Sequence, residues 1–514
     1  MSSELIIPRA PQVVRLHKND NVVVARLPLA EQTNVASEHM VCRQAIAAGH
    51  KVATRDILSG SEIRKYNQII GFASEDISAG DHVHTHNCAM KSFQRDYAVA
   101  SDCQDTEFFP VDQRATFQGY VRSDGKVGTR NYIGVLTTVN CSATVARKIA
   151  DSFQGEVLKD FPQVDGVVAL VHNTGCGMAS DGEGLDTLQR TLFGYLNHPN
   201  FAGVLLVGLG CESSQISYLN QRYQLDESDA FQFMTIQQYG GTRRSIDEGV
   251  KRIQTMLERA NQAQRQTVDA SHLCVALQCG GSDAYSGITA NPALGAAVDL
   301  VVRHGGTAIL AETPEIYGAE HLLTRRAVST EVADKLIERI RWWENYTERN
   351  HGNMDNNPSP GNKAGGLTTI LEKSLGSAAK GGTTNLTAVY KYAEQVTEKG
   401  FVFMDSPGYD PASVTGEVAS GANLVCFTTG RGSVFGFKPV PSIKLATNTA
   451  MFERMNEDMD LNCGVILDQG VSLQDMGEQI FQYFLDVASG QPSKSEALGF
   501  GDNEFTPWVV GAVM

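Results

Sequence analysis

No stretch of this 514-residue chain approaches the roughly 18 consecutive apolar residues that a membrane-spanning helix needs. Cations are scarce: 43 Lys and Arg stand against 58 Asp and Glu, a formal net charge of −15. That balance argues against non-specific binding to nucleic acid or anionic membrane, both of which need a cationic face. It leaves room for a small anionic substrate, which a few local cations can hold. The start, MSSELIIPRAPQ, has no cationic stretch followed by a long apolar run, so no signal peptide is expected. None of the ten cysteines falls in a CxxC pair, which removes the zinc ribbon. Without an export signal they read as reduced thiols of a cytoplasmic chain rather than a disulfide framework. A phosphate loop of the form GxxxxGK followed by Ser or Thr does not occur. VGLGCESS, with Gly208, Gly210 and Ser213, lacks the third glycine of a dinucleotide fingerprint.

What is present divides into parts. The length implies about three domains. Residues 1–95 carry short β-type segments separated by Gly and Asp, and AIAAGHKVATRDI and DISAGDHVHTHN share one pattern, an apolar strand entered through a glycine turn. This predicts a small β module. Residues 96–118 are polar and acidic and read as a linker. From Gly119 the pattern becomes strand–loop–helix: NYIGVLTTV, GVVALV, AGVLLVGL, LCVALQ and GTAILAE are apolar runs of the kind buried in parallel sheets. Ser329 is the expected N-cap of a helix with Val332, Leu336, Ile337 and Ile340 on one face. The predicted architecture is α/β, a β module followed by a two-part body with mainly parallel sheets, 119–265 and 266–514.

Polar residues recur just past the apolar runs, where ligands bind in open α/β sheets. Asn140 and Cys141 follow LTTV; His172 and Cys176 follow ALV; Cys211 and Glu212 follow LLVGLG; Cys279, Ser282 and Asp283 follow ALQ; Glu312 closes AILAE. A single strand-end cysteine is most often a small buried hydrophobe. Four of them would lie near one another if their strands are neighbours; three thiolates plus an open position would then suit an iron–sulfur cluster, or some of them with carboxylate and imidazole would hold Fe²⁺ or Mn²⁺. In a strand, His82, His84 and His86 share one face at steps of about 6 to 7 Å, against the alternative of a solvated polar strand end. NPSPGNKAGG, with Lys363, offers backbone N–H groups and a charge to an anion, or is a surface connector. Arg431 in TTGRG could hold a carboxylate bidentately, with Thr429 beside it and Lys444 assisting.

Taken together, GHKVATRDI, GDHVHTHN, GTRNYIGVLTTVNC, HNTGCG, VGLGCE, CGGSDAYSGITANPALG, NPSPGNKAGG and TTGRG resemble the altronate dehydratase/galactarate dehydratase family of sugar-acid hydro-lyases. GDHVHTHN and TPEIYGAEHLL look closer to the altronate branch, and sulfolactate sulfo-lyases share the same parts over two chains. The resemblance implies an N-terminal β-clip of the SAF type, an α/β catalytic body, a divalent metal (typically iron) and a 2-keto-3-deoxy acid product. For altronate the product is 2-dehydro-3-deoxy-D-gluconate. It also implies a homo-oligomer with a small sugar-acid substrate. The expected roles are acid–base for His172, Asp283 and Glu312. Arg130, Asn131, Ser282, Asn291, Lys363, Thr429, Arg431 and Lys444 are expected to bind substrate. The metal ligands are expected among His84, His86, Cys141, Cys176, Cys211, Glu212 and Cys279. The expected ion is Fe²⁺, with Mn²⁺ or an iron–sulfur cluster as alternatives.

Overall fold

A computed structural model describes residues 11–91, 93 and 95–513; most of MSSELIIPRAPQ, where no signal peptide is expected, lies outside them. Among the described residues the first module contains nine short strands: β1 (Val13–Val14), β2 (Val22–Ala25), β3 (Asn34–Val35), β4 (Met40–Val41), β5 (Lys51–Ala53), β6 (Glu62–Lys65), β7 (Gln68–Ala73), β8 (His82–Val83) and β9 (Cys88–Ala89). They form antiparallel sheets in the orders β1-β2-β5-β8 and β6-β7-β9, with β3-β4 a separate pair. Because side chains alternate along a strand, Val22 enters one core with Ile63, Ile70 and Val83, while Val23 enters another with Val13, Val35 and Val52. The two similar glycine-turn segments become the adjacent strands β5 and β8. Gly80, at φ +90°, admits no side chain, since a Cβ there would overlap the Val41 carbonyl.

The expected three-histidine strand does not form. β8 ends at Val83, and His84 to Asn87 make a turn pinned by Asn87, whose Oδ1 accepts from His84 N (2.9 Å) while its Nδ2 donates to His82 O (2.9 Å). An Asn able to satisfy two backbone groups locally wins over continued pairing.

The body holds β10 (Thr116–Val121), β11 (Val127–Gly128), β12 (Tyr132–Thr137), β13 (Gly166–Leu170), β14 (Phe201–Gly208), β15 (Phe231–Thr235), β16 (Gln266–Asp269), β17 (Cys274–Cys279), β18 (Thr307–Leu310), β19 (Leu386–Tyr390), β20 (Gly400–Met404), β21 (Leu424–Thr429), β22 (Ser442–Ala446) and β23 (Leu461–Asn462). Two parallel sheets result, β13-β12-β14-β15 and the seven-stranded β19-β20-β18-β17-β21-β22-β23, with a small antiparallel sheet β11-β10-β16 whose strands precede (β10, β11) and follow (β16) the first of them in sequence. Helices Glu183–Leu196 and Asp410–Ala419 lie between the sheets, so Leu136, Leu170, Leu192, Val414, Val425 and Phe427 share one core. Burial on both faces explains why these strands are apolar throughout. Ser329 caps helix Thr330–Arg349, accepting from Val332 N, and Leu336 and Ile340 are buried. No helix among the described residues is long and apolar enough to cross a membrane.

The β module rests on helix Ile370–Ala378 of the body. Leu375 and Ala378 join its core. Lys51 and Lys65, fully buried, donate to Glu372 at 2.8 and 2.9 Å, and Lys51 also donates to Gly366 O at 2.6 Å.

Candidate active site

Cys279, the last residue of β17, lies next to the end of β18, where the chain turns through Glu312 at φ +69° and a short 3₁₀ turn, Thr313–Glu315. A non-glycine residue there is strained and persists only where its surroundings hold it; Ser406 Oγ accepts from Glu312 N at 2.9 Å. This places Cys279, Glu312 and Glu315 with ligand atoms within 4.8 Å of one another, all buried. Lys380 Nζ donates to Cys279 Sγ at 3.0 Å, and Lys373 Nζ donates to Glu315 Oε1 at 2.6 Å and to Asn357 Oδ1 at 2.8 Å. Asp410 heads its helix beside Gly280, where any Cβ would overlap the Asp410 carboxylate. A cleft of about 390 Å³ opens onto Cys279, Gly280, Glu315, Asn357, Lys373 and Asp410.

Burial sets these carboxyl groups apart. It raises Glu312 well above the ordinary range, with Glu315 adding to the effect. Glu315 feels the same burial, but Lys373 and Lys380 outweigh it and hold the group below the ordinary value. Asp410 is pushed up to about 6, by burial first and by Glu315 second. Neighbouring carboxyls driven apart in this way mark acid–base sites.

Of the expected acid–base residues, Glu312 alone lies here. Both ring nitrogens of His172 are committed, Nε2 to Thr137 O (2.9 Å) and Nδ1 to Thr174 N (3.3 Å), and burial lowers its pKa to about 4. Asp283 accepts from Tyr285 N, Ser286 N, Ser286 Oγ, Thr447 Oγ1 and Asn448 Nδ2, so it ties a loop together. Several expected substrate ligands are structural as well. Arg130 is paired with Glu496 and bonded to three carbonyls, and Asn131 is buried between Asp165, Gln163 O and Ala260 O. Asn291 bridges Gly376 O and Thr428 Oγ1, and Thr429 Oγ1 closes a turn on Gly432 N. Ser359 and Asn362 satisfy each other's N–H groups in a capping box, which removes donors the NPSPGNKAGG loop would have offered an anion. Asn362 also donates to Ser282 O (2.8 Å). Lys363 is half-buried and Arg431 exposed, while the buried Lys444 Nζ has no hydrogen-bond partner among the described residues.

The four cysteines do not form one group, because Cys279 is set apart from the other three. Cys141, Cys176 and Cys211 are exposed at the ends of β12, β13 and β14, whereas Cys279 is buried in the other sheet. Glu212 is spent on Thr138 Oγ1 (2.7 Å), Leu209 N and Gly210 N. His84 and His86 lie in the β module and are not part of the Cys279 cluster. That cluster does fit a divalent ion: two carboxylates and a sulfur converge, and neither Glu312 oxygen has a hydrogen-bond partner among the described residues. Glu315, which follows closely behind Glu312 past the strand AILAE, was visible in the sequence as a polar residue at a strand end, whereas Lys373, Lys380 and Asp410 were not read from it, because nothing in their spacing distinguishes them from ordinary helix residues.

A β-clip docked on a body of parallel sheets, with a buried acid–base cluster at the strand ends, defines a class of α/β enzyme working on small polar molecules. Most of the chain has counterparts among known proteins. Residues 11–91 match the Altronate/galactarate dehydratase SAF domain, 119–261 the D-galactarate dehydratase/Altronate hydrolase second domain, and 270–513 the D-galactarate/Altronate dehydratase C-terminal domain. An altronate dehydratase from Bacillus subtilis is 34% identical over 93% of this chain and 95% of its own length. One from Escherichia coli is 34% identical over 95% and 97%, and a galactarate dehydratase (L-threo-forming) from Escherichia coli is 36% identical over 87% and 86%. The chain belongs to the altronate/galactarate dehydratase family.

Proposed function

We propose that this chain dehydrates D-altronate to 2-dehydro-3-deoxy-D-gluconate with a divalent metal, Fe²⁺ before Mn²⁺, in cytoplasmic sugar-acid breakdown. The observation that carries the reading is the end-to-end likeness to two altronate dehydratases, joined to an acid–base cluster at the strand ends.

Removing the C2 proton of an aldonate builds a second charge on its carboxylate, and the C3 hydroxyl leaves well only when protonated. Lys373, already a cation lining the cleft, suits the substrate carboxylate. Asp410, near 6, is matched to proton transfer near neutrality in either direction. It takes the C2 proton and returns it to the departing C3 hydroxyl, so water leaves and the enol becomes the ketone. Lys380 and Lys373 hold Glu315 ionised throughout. Cys279, Glu312 and Glu315 are the residues to hold the ion, which when bound supplies Lewis-acid stabilisation of the enolised carboxylate.

The test is anaerobic purification with metal and sulfide analysis, then a keto-acid assay on D-altronate with and without Fe²⁺. Iron-dependent release of the 2-keto-3-deoxy acid without acid-labile sulfide supports the reading. Turnover of galactarate or sulfolactate alone removes the substrate, and silence on every acid removes the activity.

A further inference from the structure

The antiparallel register of the β module does something the local sequence hides. Val52 pairs with His82 and Lys51 with Val83, so continuing the ladder brings His50 opposite His84. Because the chain turns back at His84 rather than running on, His86 returns beside His82. Four imidazoles collect: ring centroids are 5.0 Å apart for His50 and His82, 4.9 Å for His50 and His84, 5.3 Å for His82 and His84, and 5.4 Å for His82 and His86. His50 and His86 lie more than thirty positions apart, and His39 and His17 take no part in these contacts.

One nitrogen of this nest is left without a partner. His50 Nδ1 and His82 Nε2 face each other at 2.9 Å, His50 Nε2 meets Ala364 O at 3.4 Å, and His84 Nδ1 is buried with no partner among the described residues. A buried polar atom without a partner is costly. Two nitrogens on one tetrahedral ion with bonds near 2.05 Å stand about 3.3 Å apart, so the His50–His82 pair needs only a slight opening to chelate. The nearest cation, Lys51, is turned to Glu372 and Gly366 O.

We propose that His50, His82 and His84, with His86 as fourth ligand, form an imidazole-only site for a divalent transition ion of the Zn²⁺, Fe²⁺ and Co²⁺ class. It is separate from the Cys279 cluster. All-nitrogen donors favour these ions over Mg²⁺ and Ca²⁺, which take oxygen. Because His50 also reaches Ala364, an ion here braces the β module against the loop whose Asn357, Ser359 and Asn362 line the cleft.

The experiment is Co²⁺ titration of the full-length, chelator-stripped protein, read by visible ligand-field absorption, with Zn²⁺ in competition. Wild type and Cys279→Ser both show one equivalent of nitrogen-bound Co²⁺ that Zn²⁺ displaces and Ca²⁺ does not. His84→Gln and His82→Gln weaken that binding about tenfold or more. An unchanged band in both histidine variants overturns the proposal, as does loss of all Co²⁺ binding in Cys279→Ser alone, or equal displacement by Ca²⁺. Should a histidine variant fail to fold, the wild-type chain decides. Zn²⁺ protection of His50, His82 and His84 from diethyl pyrocarbonate, read by mass spectrometry, supports the site, and equal modification with and without Zn²⁺ overturns it. Neither readout depends on turnover of any sugar acid.

Discussion

Replacing Glu372 by Ala is the sharpest test of how the β module is held. Its carboxylate accepts from Lys65 at 2.9 Å, from Lys51 at 2.8 Å and from Thr368 N and Oγ1 at 3.0 and 2.8 Å, with no solvent exposure of the side chain. Lys51 and Lys65 are equally buried, at 0% and 1% side-chain exposure. Removing the acid leaves two ammonium groups in the seam with no counter-charge. Breaking one partner of a buried pair costs about 3–5 kcal/mol, and here one residue serves two pairs, so the upper end is expected. Because the loss falls on the module–body contact, it should show locally. Backbone amides of β5 and β6 should exchange faster by roughly two to three powers of ten or more, while β12 and β14 stay protected. Hydrogen exchange of the full-length protein, followed by mass spectrometry, reads this directly. Replacing the trio together, Lys51→Met, Lys65→Met and Glu372→Leu, should recover much of the protection. Unchanged exchange in β5 and β6 of Glu372→Ala would refute the argument. The two lysines depress the Glu372 pKa despite its burial, so this contribution is complete above the unfolded value near 4.5. It fades as pH falls below that value, and the module should loosen first in acid.

Three other outcomes are expected. Gly280→Ala forces a Cβ onto Asp410 and Phe427, and kcat/KM in the keto-acid assay should fall by about two powers of ten or more through misplacement of Asp410. Glu417 is raised to about 8, by burial first. A group that keeps its proton when folded and loses it when unfolded weakens folding between about pH 4.5 and 8, so Glu417→Gln should gain on wild type as pH rises through that window, by a few kcal/mol in denaturation midpoints. Arg130→Ala should cost about 3–5 kcal/mol of stability by stranding Glu496 and three carbonyls, with KM for altronate unchanged; a raised KM alone would return Arg130 to the substrate.

Some of this was legible in the chain. Continuous apolar runs bounded by Gly and Asn dictate strands buried on both faces, and the glycine-turn repeat dictates short β-strands, because those preferences act within a few residues. The long motifs carried the family. The positions of Cys279, Glu312 and the histidines as polar residues at strand ends were also visible. Their partners were not. His172 and Asp283 look like free catalytic groups in sequence, yet neighbouring backbone consumes their hydrogen-bonding capacity. Strand order, not sequence, put Cys279 in a different sheet from Cys141, Cys176 and Cys211. Lys373, Lys380 and Asp410 reach Cys279 and Glu315 from about one hundred residues away or more in the case of Cys279, and His50 meets His82 only through the β5–β8 register. Local pattern fixes which residues are strand, turn and polar edge; which charges face one another, and so which carboxyl keeps its proton, is decided only when distant segments are packed into a medium of low dielectric.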